Sequence, residues 1–234
     1  MYGIPRALSP PPNSPPPAAP WLRTALALGA CAVVLIVLVA LGWRPLLRVD
    51  AEVADWLHAR ALTQPAWTQT NRVFSDWVWD PLTMRVLIAV AAVWMWLRGE
   101  ALVALWCVAT VVVGVGVQQG LKVVIDRDRP RWQQPVDTAH YAAMPSGHAM
   151  TTALTCVLLL WLVRRSRAGR AVRGLVLVLG CVSVAGVSFT RIALGVHWLT
   201  DTLTGALLGV ALAAAAAGLW TTLPRGGTRT VPTE

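Results

Sequence analysis

The chain has 234 residues, of which 56% are hydrophobic and only 13% charged, and its formal net charge is +9. This balance is typical of a polytopic membrane protein and argues against soluble domains, because apolar runs of about 20 residues, enough to span a bilayer as helices, recur throughout. The positive charge does not indicate a nucleic-acid binder, because the basic residues are scattered between the apolar runs rather than gathered into a stripe.

The chain divides into a tail, one helical domain and a second tail. Residues 1–20 hold eight of the sixteen prolines and predict a disordered, partly polyproline-like segment. We expect an all-α domain of six transmembrane helices over residues 21–221 and a polar tail over residues 222–234. The predicted spans are 24–43, 81–97, 101–124, 147–163, 174–189 and 198–220.

The polar segment between the first two spans predicts a helix of a different kind. Residues 50–62 place Val53, Trp56, Leu57 and Ala61 at helical spacing, which is typical of a short amphipathic helix on the membrane surface. Such a helix could act as a lid over a site or as a packing element, and the spacing leaves both alternatives open.

Small residues inside the spans are predicted to serve packing. Gly116-x-x-x-Gly120 and Gly205-x-x-x-Gly209 have the spacing that lets membrane helices approach closely. The cysteines form no CxxC pair and no zinc-ligand pattern, so we expect small core residues without disulfides. They are Cys31, Cys107, Cys156 and Cys181.

The distribution of charge predicts the orientation in the membrane. The connection between the fourth and fifth spans carries five arginines and no acid, namely Arg164, Arg165, Arg167, Arg170 and Arg173. By the positive-inside rule this connection is cytoplasmic, and six spans then place both termini on that side as well. We expect an integral protein of the bacterial plasma (inner) membrane whose remaining polar motifs face outward.

Three cations are predicted to meet at the extracytoplasmic face although they come from distant parts of the chain. Lys122, Arg129 and Arg191 lie near the ends of apolar spans, where ionisable groups are costly and are usually paired and functional. Together they imply an anionic ligand. A phosphoryl group fits best, because an arginine fork matches its oxygens and a lysine adds a point charge.

The turn at Pro145–His148 supplies groups that complement these cations. It opens an apolar helix, so its backbone N–H groups point toward a bound anion. Ser146 is expected to cap this helix and to add a hydroxyl, and Gly147 permits a ligand to approach the backbone closely.

Two histidines and one carboxylate predict catalysis rather than binding alone. His197 and Asp201 are four residues apart at a helix start, so the carboxylate can hold one ring nitrogen protonated and leave the other free to attack phosphorus. His148 could then protonate the leaving oxygen as a general acid. No acidic cluster of the kind that binds Mg²⁺ accompanies them, so we expect a metal-independent route through a phosphohistidine, without a cofactor.

At these residues the sequence resembles the type 2 phosphatidic acid phosphatase superfamily, whose signature is Lys-x6-Arg-Pro, Pro-Ser-Gly-His and Ser-Arg-x5-His-x3-Asp. The spacing matches throughout, and the one departure is a threonine, Thr190, where serine is usual. Because threonine keeps the hydroxyl, little change in chemistry is expected. The matching residues are Lys122, Arg129-Pro130, Pro145 to His148, Thr190-Arg191, His197 and Asp201.

The resemblance implies a role for each residue. His197 would be the nucleophile, Asp201 its orienting partner and His148 the general acid. The phosphate ligands would be Lys122, Arg129, Ser146, Gly147 and Arg191. The implied fold is the six-helix bundle that these phosphatases share with the haloperoxidases.

The function expected from this site is hydrolysis of a lipid phosphomonoester or diphosphate at the outer leaflet, with membrane lipids as surroundings and no nucleic acid as partner. A polyprenyl diphosphate such as undecaprenyl diphosphate is the first choice of substrate, and phosphatidic acid or phosphatidylglycerophosphate the second. The alternatives are a lipid phosphotransferase, a vanadate-dependent haloperoxidase, and a non-catalytic lipid-phosphate binder or transporter.

Four further polar residues receive no catalytic role. Asp126 and Asp128 are expected to pair with neighbouring arginines, His58 to lie on the surface helix, and His140 to belong to the motif loop without a motif function.

Overall fold

A computed structural model describes residues 18–223 of the protein. Every regular element in that range is helical, so the all-α prediction is confirmed. The elements are α1 (Ala18–Ala40), α2 (Arg44–Thr63), α3 (Pro65–Val73), a π-helical turn (Phe74–Val78), α4 (Pro81–Leu97), α5 (Ala101–Ile125), α6 (Gly147–Arg165), α7 (Arg170–Ala193) and α8 (Leu199–Thr222).

Six helical segments between residues 18 and 223 are long and apolar enough to cross a bilayer, as predicted, and the chain is an integral membrane protein. The second is longer than expected, because Pro65–Leu97 forms one unit through α3, the π-helical turn and α4. The others are α1, α5, α6, α7 and α8.

Two predicted boundaries are corrected by the structure. Helix α1 runs from Ala18 to Ala40, whereas the first span was predicted over residues 24–43. Helix α7 runs to Ala193, so Thr190 and Arg191 lie in its last turns rather than in a loop, and the Leu194 N–H continues the helical pattern to the Thr190 carbonyl. The predicted tails fall mainly in residues 1–17 and 224–234, which lie outside the described part of the chain.

Helix α2 is the amphipathic helix predicted at 50–62, extended to twenty residues. Its buried face carries Asp50, Leu57 and His58 among others, and it packs on α3, α7 and α8. The outward face exposes Trp56. Of the two alternatives, the structure supports the packing element.

Helix α8 lies at the centre of the bundle and packs most extensively on α1 and α6. Glycine makes this possible: a Cβ at Gly205 would lie 2.5 Å from the Ser146 carbonyl oxygen, and one at Gly209 would collide with a backbone carbonyl of α6. The predicted packing role is therefore confirmed for this pair. It is wrong for Gly116 and Gly120, where an added Cβ would meet nothing within 4 Å.

The hydrophobic core fills one end of the bundle and leaves the other end to polar residues. Trp161 and Leu158 of α6 are fully buried there against Cys107 of α5 and Ala213 of α8. These positions belong to the C-terminal halves of α6 and α8 and the N-terminal half of α5. The opposite ends of the same helices carry the predicted motifs. All four cysteines are free, but the expectation of core positions holds for Cys107 alone, because Cys156 is only partly buried and Cys31 and Cys181 are exposed in the structure.

Candidate active site

The predicted motif residues meet at one end of the bundle. Lys122 lies in the last turn of α5, Arg191 in the last turn of α7 and Asp201 in the first turn of α8. His148, in the first turn of α6, lies within electrostatic range of the three predicted cations and of His197. The fold thus brings together side chains from separate parts of the chain.

His197 is 2% exposed and has a partner on each ring nitrogen. Its Nδ1 lies 3.4 Å from Oδ2 of Asp201, and its Nε2 lies 3.2 Å from Nη1 of Arg129. A guanidinium can only donate, and a carboxylate can only accept. The ring proton therefore belongs on Nδ1, and the Nε2 lone pair points toward the cations.

The two oxygens of Asp201 have different partners. Oδ2 accepts from the backbone N–H of Trp198 at 2.9 Å in addition to facing His197. Oδ1 accepts from Nη1 of Arg127 at 2.5 Å. The side chain is fully buried, so the whole carboxylate is saturated by protein groups and has no freedom to rotate away from the histidine.

Arg129 and Lys122 are held by three successive backbone carbonyls of the motif loop. Arg129 donates to the carbonyls of His140, Tyr141 and Ala142, and Lys122 donates to that of Ala142 as well. Tyr141 adopts a positive φ of 67°, which is uncommon for a residue other than glycine and turns its carbonyl inward. We call residues 140–142 the carbonyl collar.

The turn at the start of α6 differs from the expectation in one respect. Ser146 occupies the N-cap position, but its side chain makes no capping hydrogen bond. The hydroxyl is buried and has no partner within the described residues, so it is free to bind a ligand. Packing also favours glycine at position 147, because a Cβ there would lie 2.8 Å from the side-chain amide nitrogen of Gln118.

The segment before α4 contributes side chains to the same site. Arg191, 5% exposed, donates to the hydroxyl of Ser75 at 2.8 Å and lies 3.9 Å from a carboxylate oxygen of Asp76. Oδ2 of Asp80 lies 3.9 Å from Nε2 of His148. Ser75 and Asp76 belong to the π-helical turn, a feature that is frequent at functional sites.

Burial and mutual repulsion shape the titration of the loop residues. Burial, followed by the charge of the nearby Arg191, lowers the pKa of Arg129 to about 10, so the guanidinium remains charged at neutral pH. Burial, followed by the charges of Arg129, Arg191 and Lys122, holds the pKa of His197 well below 6.5. The imidazole is therefore neutral at physiological pH, as a nucleophile requires.

Besides Asp76 and Asp80, sequence reasoning missed four residues that complete the site. Arg127 bonds Asp201, Asp50 bonds Arg127, Ser75 bonds Arg191, and Gln118 packs on Gly147. Only Arg127, which lies between two motif residues, carried a signal that could have been noticed. The other three lie outside the signature and become visible only when the helices are assembled.

The residues set aside in the sequence have mixed outcomes. Asp128 pairs with Arg131 at 2.7 Å on the surface, as predicted, whereas no ion pair of Asp126 is found within residues 18–223. His58 lies on α2 but is buried, stacked on Trp132 at 3.9 Å between ring centroids. In the described range no three His, Cys, Asp or Glu side chains are close enough to share a metal ion.

Comparison with known proteins adds two findings. A family model described as the PAP2 superfamily matches residues 100–225. Among solved structures, the chain is similar to the transmembrane PAP2 type phosphatidylglycerolphosphate phosphatase from Bacillus subtilis, with a TM-score of 0.76 and 21% sequence identity, over 87% of this chain and 99% of that one. No protein of curated function matches the chain significantly in sequence.

Proposed function

Since this chain belongs to the PAP2 superfamily, we propose that it is a membrane lipid phosphatase that acts through a phosphohistidine at His197. One observation carries the proposal. Asp201 binds Nδ1 of His197, which leaves Nε2 unprotonated and facing Arg129, where the phosphate of a substrate would be held. A site that only bound phosphate would not need a histidine prepared in this way.

The first step would be attack of Nε2 of His197 on phosphorus. The new bond is P–N and the broken bond is that between phosphorus and the leaving oxygen. The positive charge that develops on the ring is balanced by Asp201. Lys122, Arg129 and Arg191 would bind the equatorial oxygens and stabilise their charge in the transition state.

The Ser146 hydroxyl and the backbone N–H of Gly147 would complete the phosphate cradle. The hydroxyl is buried without a partner among the described residues, so a phosphate oxygen can accept from it without breaking another hydrogen bond. Gly147 is the first residue of α6, where the N–H groups of a helix start favour an anion.

His148 would donate a proton to the leaving oxygen and later accept one from the attacking water. To act as an acid it must carry a proton although three cations surround it. Asp80 supplies a countercharge 3.9 Å from its Nε2. Water then cleaves the P–N bond and releases inorganic phosphate, so the histidine is regenerated.

The proposed site works without a metal ion and lies at the extracytoplasmic end of the bundle. Residues 18–223 contain no group of three His, Cys, Asp or Glu side chains that could bind a metal ion. The charge of the phosphate would instead be balanced by Lys122, Arg129 and Arg191. The arginine-rich connection between α6 and α7 supports a cytoplasmic location for that end of the bundle and for both termini, with the site at the outer leaflet of a plasma (inner) membrane.

The substrate would be a lipid whose phosphate enters the site while its tail stays in the bilayer. A polyprenyl diphosphate such as undecaprenyl diphosphate is the first candidate, and phosphatidic acid or phosphatidylglycerophosphate the second. The similar Bacillus subtilis protein is a phosphatidylglycerolphosphate phosphatase, so phosphatidylglycerophosphate should be included among the substrates tested.

The test is phosphate release from such a panel in detergent by wild-type protein, His197→Ala and His140→Ala. His140 is the matched control, because its side chain lies at the surface and only its carbonyl takes part in the collar. We expect His197→Ala to lose turnover and His140→Ala to keep it. Substantial turnover by folded His197→Ala would refute the nucleophile assignment.

Product analysis separates the alternatives. Labelled phosphate recovered on a lipid acceptor would indicate a phosphotransferase, and halogenation that depends on added vanadate would indicate a haloperoxidase. Tight binding of lipid phosphate without any phosphate release would indicate a binder or transporter.

A further inference from the structure

We propose that Asp50 and Arg127 form a buried clamp that positions Asp201 for the reaction of His197. The clamp deepens the function proposed above and rests on it. Its members are not part of the motifs that led to the site. Asp50 lies in α2, outside the residues that the family model matches, and Arg127 lies in the motif loop.

Arg127 bridges two carboxylates with two separate nitrogens. Nη1 donates to Oδ1 of Asp201 at 2.5 Å, and Nη2 donates to Oδ2 of Asp50 at 2.7 Å. The two carboxylates are 0% and 2% exposed at the side chain, and the guanidinium 12%. Charge-assisted hydrogen bonds in so dry a setting are strong, and loss of one partner leaves the other charge uncompensated.

Asp50 is itself fixed by the first turn of α8. Oδ1 accepts from the backbone N–H of Thr200 at 2.9 Å, and Oδ2 accepts from its hydroxyl at 2.6 Å. The same hydroxyl oxygen accepts from Nη1 of Arg127 at 2.7 Å. Thr200 directly precedes Asp201, so the clamp holds both the side chain of Asp201 and the backbone that carries it.

The clamp determines which oxygen of Asp201 can bind His197. Arg127 occupies Oδ1, so only Oδ2 remains for the N–H of Trp198 and for Nδ1 of His197. If Arg127 were removed, the carboxylate would lose the only charged hydrogen-bond partner that it has in the described chain and could rotate. The ring of His197 would then no longer be held in the orientation that directs Nε2 at the phosphorus atom.

Arg127 is a positioning residue in this proposal and not a ligand of the substrate. All the guanidinium contacts described are to protein oxygens, and its face lies 5.6 Å from the ring centre of Trp198. Removing it should therefore slow turnover while binding of phosphate persists. A misplacement of a catalytic group by about 1 Å can reduce the rate about 100-fold.

The experiment compares Arg127→Ala, Asp50→Asn and the double variant with wild-type protein. Asp50→Asn is nearly isosteric: its amide oxygen can still accept from Thr200, but its NH2 group cannot accept from Arg127. Arg131→Ala is the matched control, because Arg131 lies in the same loop in an ion pair that is more than 80% exposed. Thermal unfolding in detergent verifies that each variant is folded.

Two readouts test the clamp, namely kcat with p-nitrophenyl phosphate and the Kd of inorganic phosphate by calorimetry. We expect kcat to fall about 100-fold in Arg127→Ala and about 10-fold or more in Asp50→Asn, the Kd to change less than about threefold, and the double variant to be no slower than Arg127→Ala. Arg131→Ala should match wild type.

The outcomes separate failure of the clamp from failure of the function. Wild-type activity with an unchanged kcat in folded Asp50→Asn and Arg127→Ala would overturn the clamp and leave the phosphatase intact. A weakened Kd that accounts for the whole loss in Arg127→Ala would also overturn it, by making Arg127 a phosphate ligand. Absence of phosphate release by wild-type protein from every substrate would refute the function itself.

Discussion

The backbone N–H of Ser146 donates a 3.0 Å hydrogen bond to the carbonyl oxygen of Asp201. This contact joins the proposed phosphate-binding turn of α6 directly to the first turn of α8, which carries the partner of the proposed nucleophile. It is possible only because α6 and α8 approach each other at glycine positions of α8. The distance between the proposed acid and nucleophile therefore depends on helix packing.

This dependence predicts that Gly205→Ala destabilises the protein. The new Cβ would lie 2.5 Å from the carbonyl oxygen of Ser146, and overpacking of this kind costs about 1–3 kcal/mol. Thermal unfolding in detergent measures the change. Gly116→Ala is the control: its Cβ meets nothing within 4 Å, so the variant should be as stable as wild type or up to about 1 kcal/mol more stable. Equal destabilisation by both would contradict the packing argument.

The site should remain active without divalent metal. In the proposed site, Lys122, Arg129 and Arg191 would supply the positive charge that a metal ion supplies in other phosphatases. Prolonged dialysis against EDTA, followed by a phosphate-release assay in the same chelator, should leave kcat within about twofold of the untreated value. Loss of activity that Mg²⁺ restores would mean that the reaction uses a metal.

His197 should stay neutral across the physiological range. Burial and three neighbouring cations hold its pKa well below 6.5, so lowering the pH from about 8 to about 6.5 should not protonate it. In a protein labelled at histidine, the His197 signal, assigned by comparison with His197→Ala, should not shift between these pH values in NMR spectra. A titration midpoint near 6.5 would show that the ring is not buried among the cations.

Asp80→Asn should slow hydrolysis of substrates with poor leaving groups only. Asn keeps an acceptor for the N–H of Leu82, which Asp80 caps at 2.7 Å, but it removes the charge opposite His148. We expect kcat to fall about 10-fold or more for an alkyl phosphate and little for p-nitrophenyl phosphate, whose leaving group needs no proton.

Asp76→Asn provides the comparison for this prediction. Asp76 lies in the same segment but faces Arg191 rather than His148. It should not reproduce the dependence on the leaving group. An equal loss for both substrates in Asp80→Asn would argue against a link between Asp80 and the general acid.

The sequence allowed the six spans and the meeting of the motifs to be predicted, because apolar length and charge bias act locally along the chain. It did not reveal Asp50 or Ser75. Asp50 reads as one polar residue of an amphipathic helix, and its contact with Thr200 spans 150 positions. Such contacts depend on how α2 packs against α8 in the folded protein, so they cannot be predicted from the local sequence.

The turn at Ser146 shows a second limit. A serine before an apolar run predicts a capping side chain, yet the Ser146 hydroxyl makes no capping hydrogen bond and is buried without a partner among the described residues. A local rule was overridden there, which is the pattern expected where a residue serves chemistry rather than stability. The carbonyl collar could not be predicted from the sequence either, because it is formed by backbone carbonyl groups and does not depend on the side chains of residues 140–142.

The contacts of Arg191 and Arg127 have a consequence for engineering. The family model begins at residue 100, whereas Ser75 and Asp50, which hold these two arginines, precede it. A graft or truncation that kept only residues 100–225 would retain every signature residue but lose Ser75 and Asp50, the partners of Arg191 and Arg127. Transferring the proposed catalytic centre to another scaffold would therefore require the segment from α2 to the start of α4 as well.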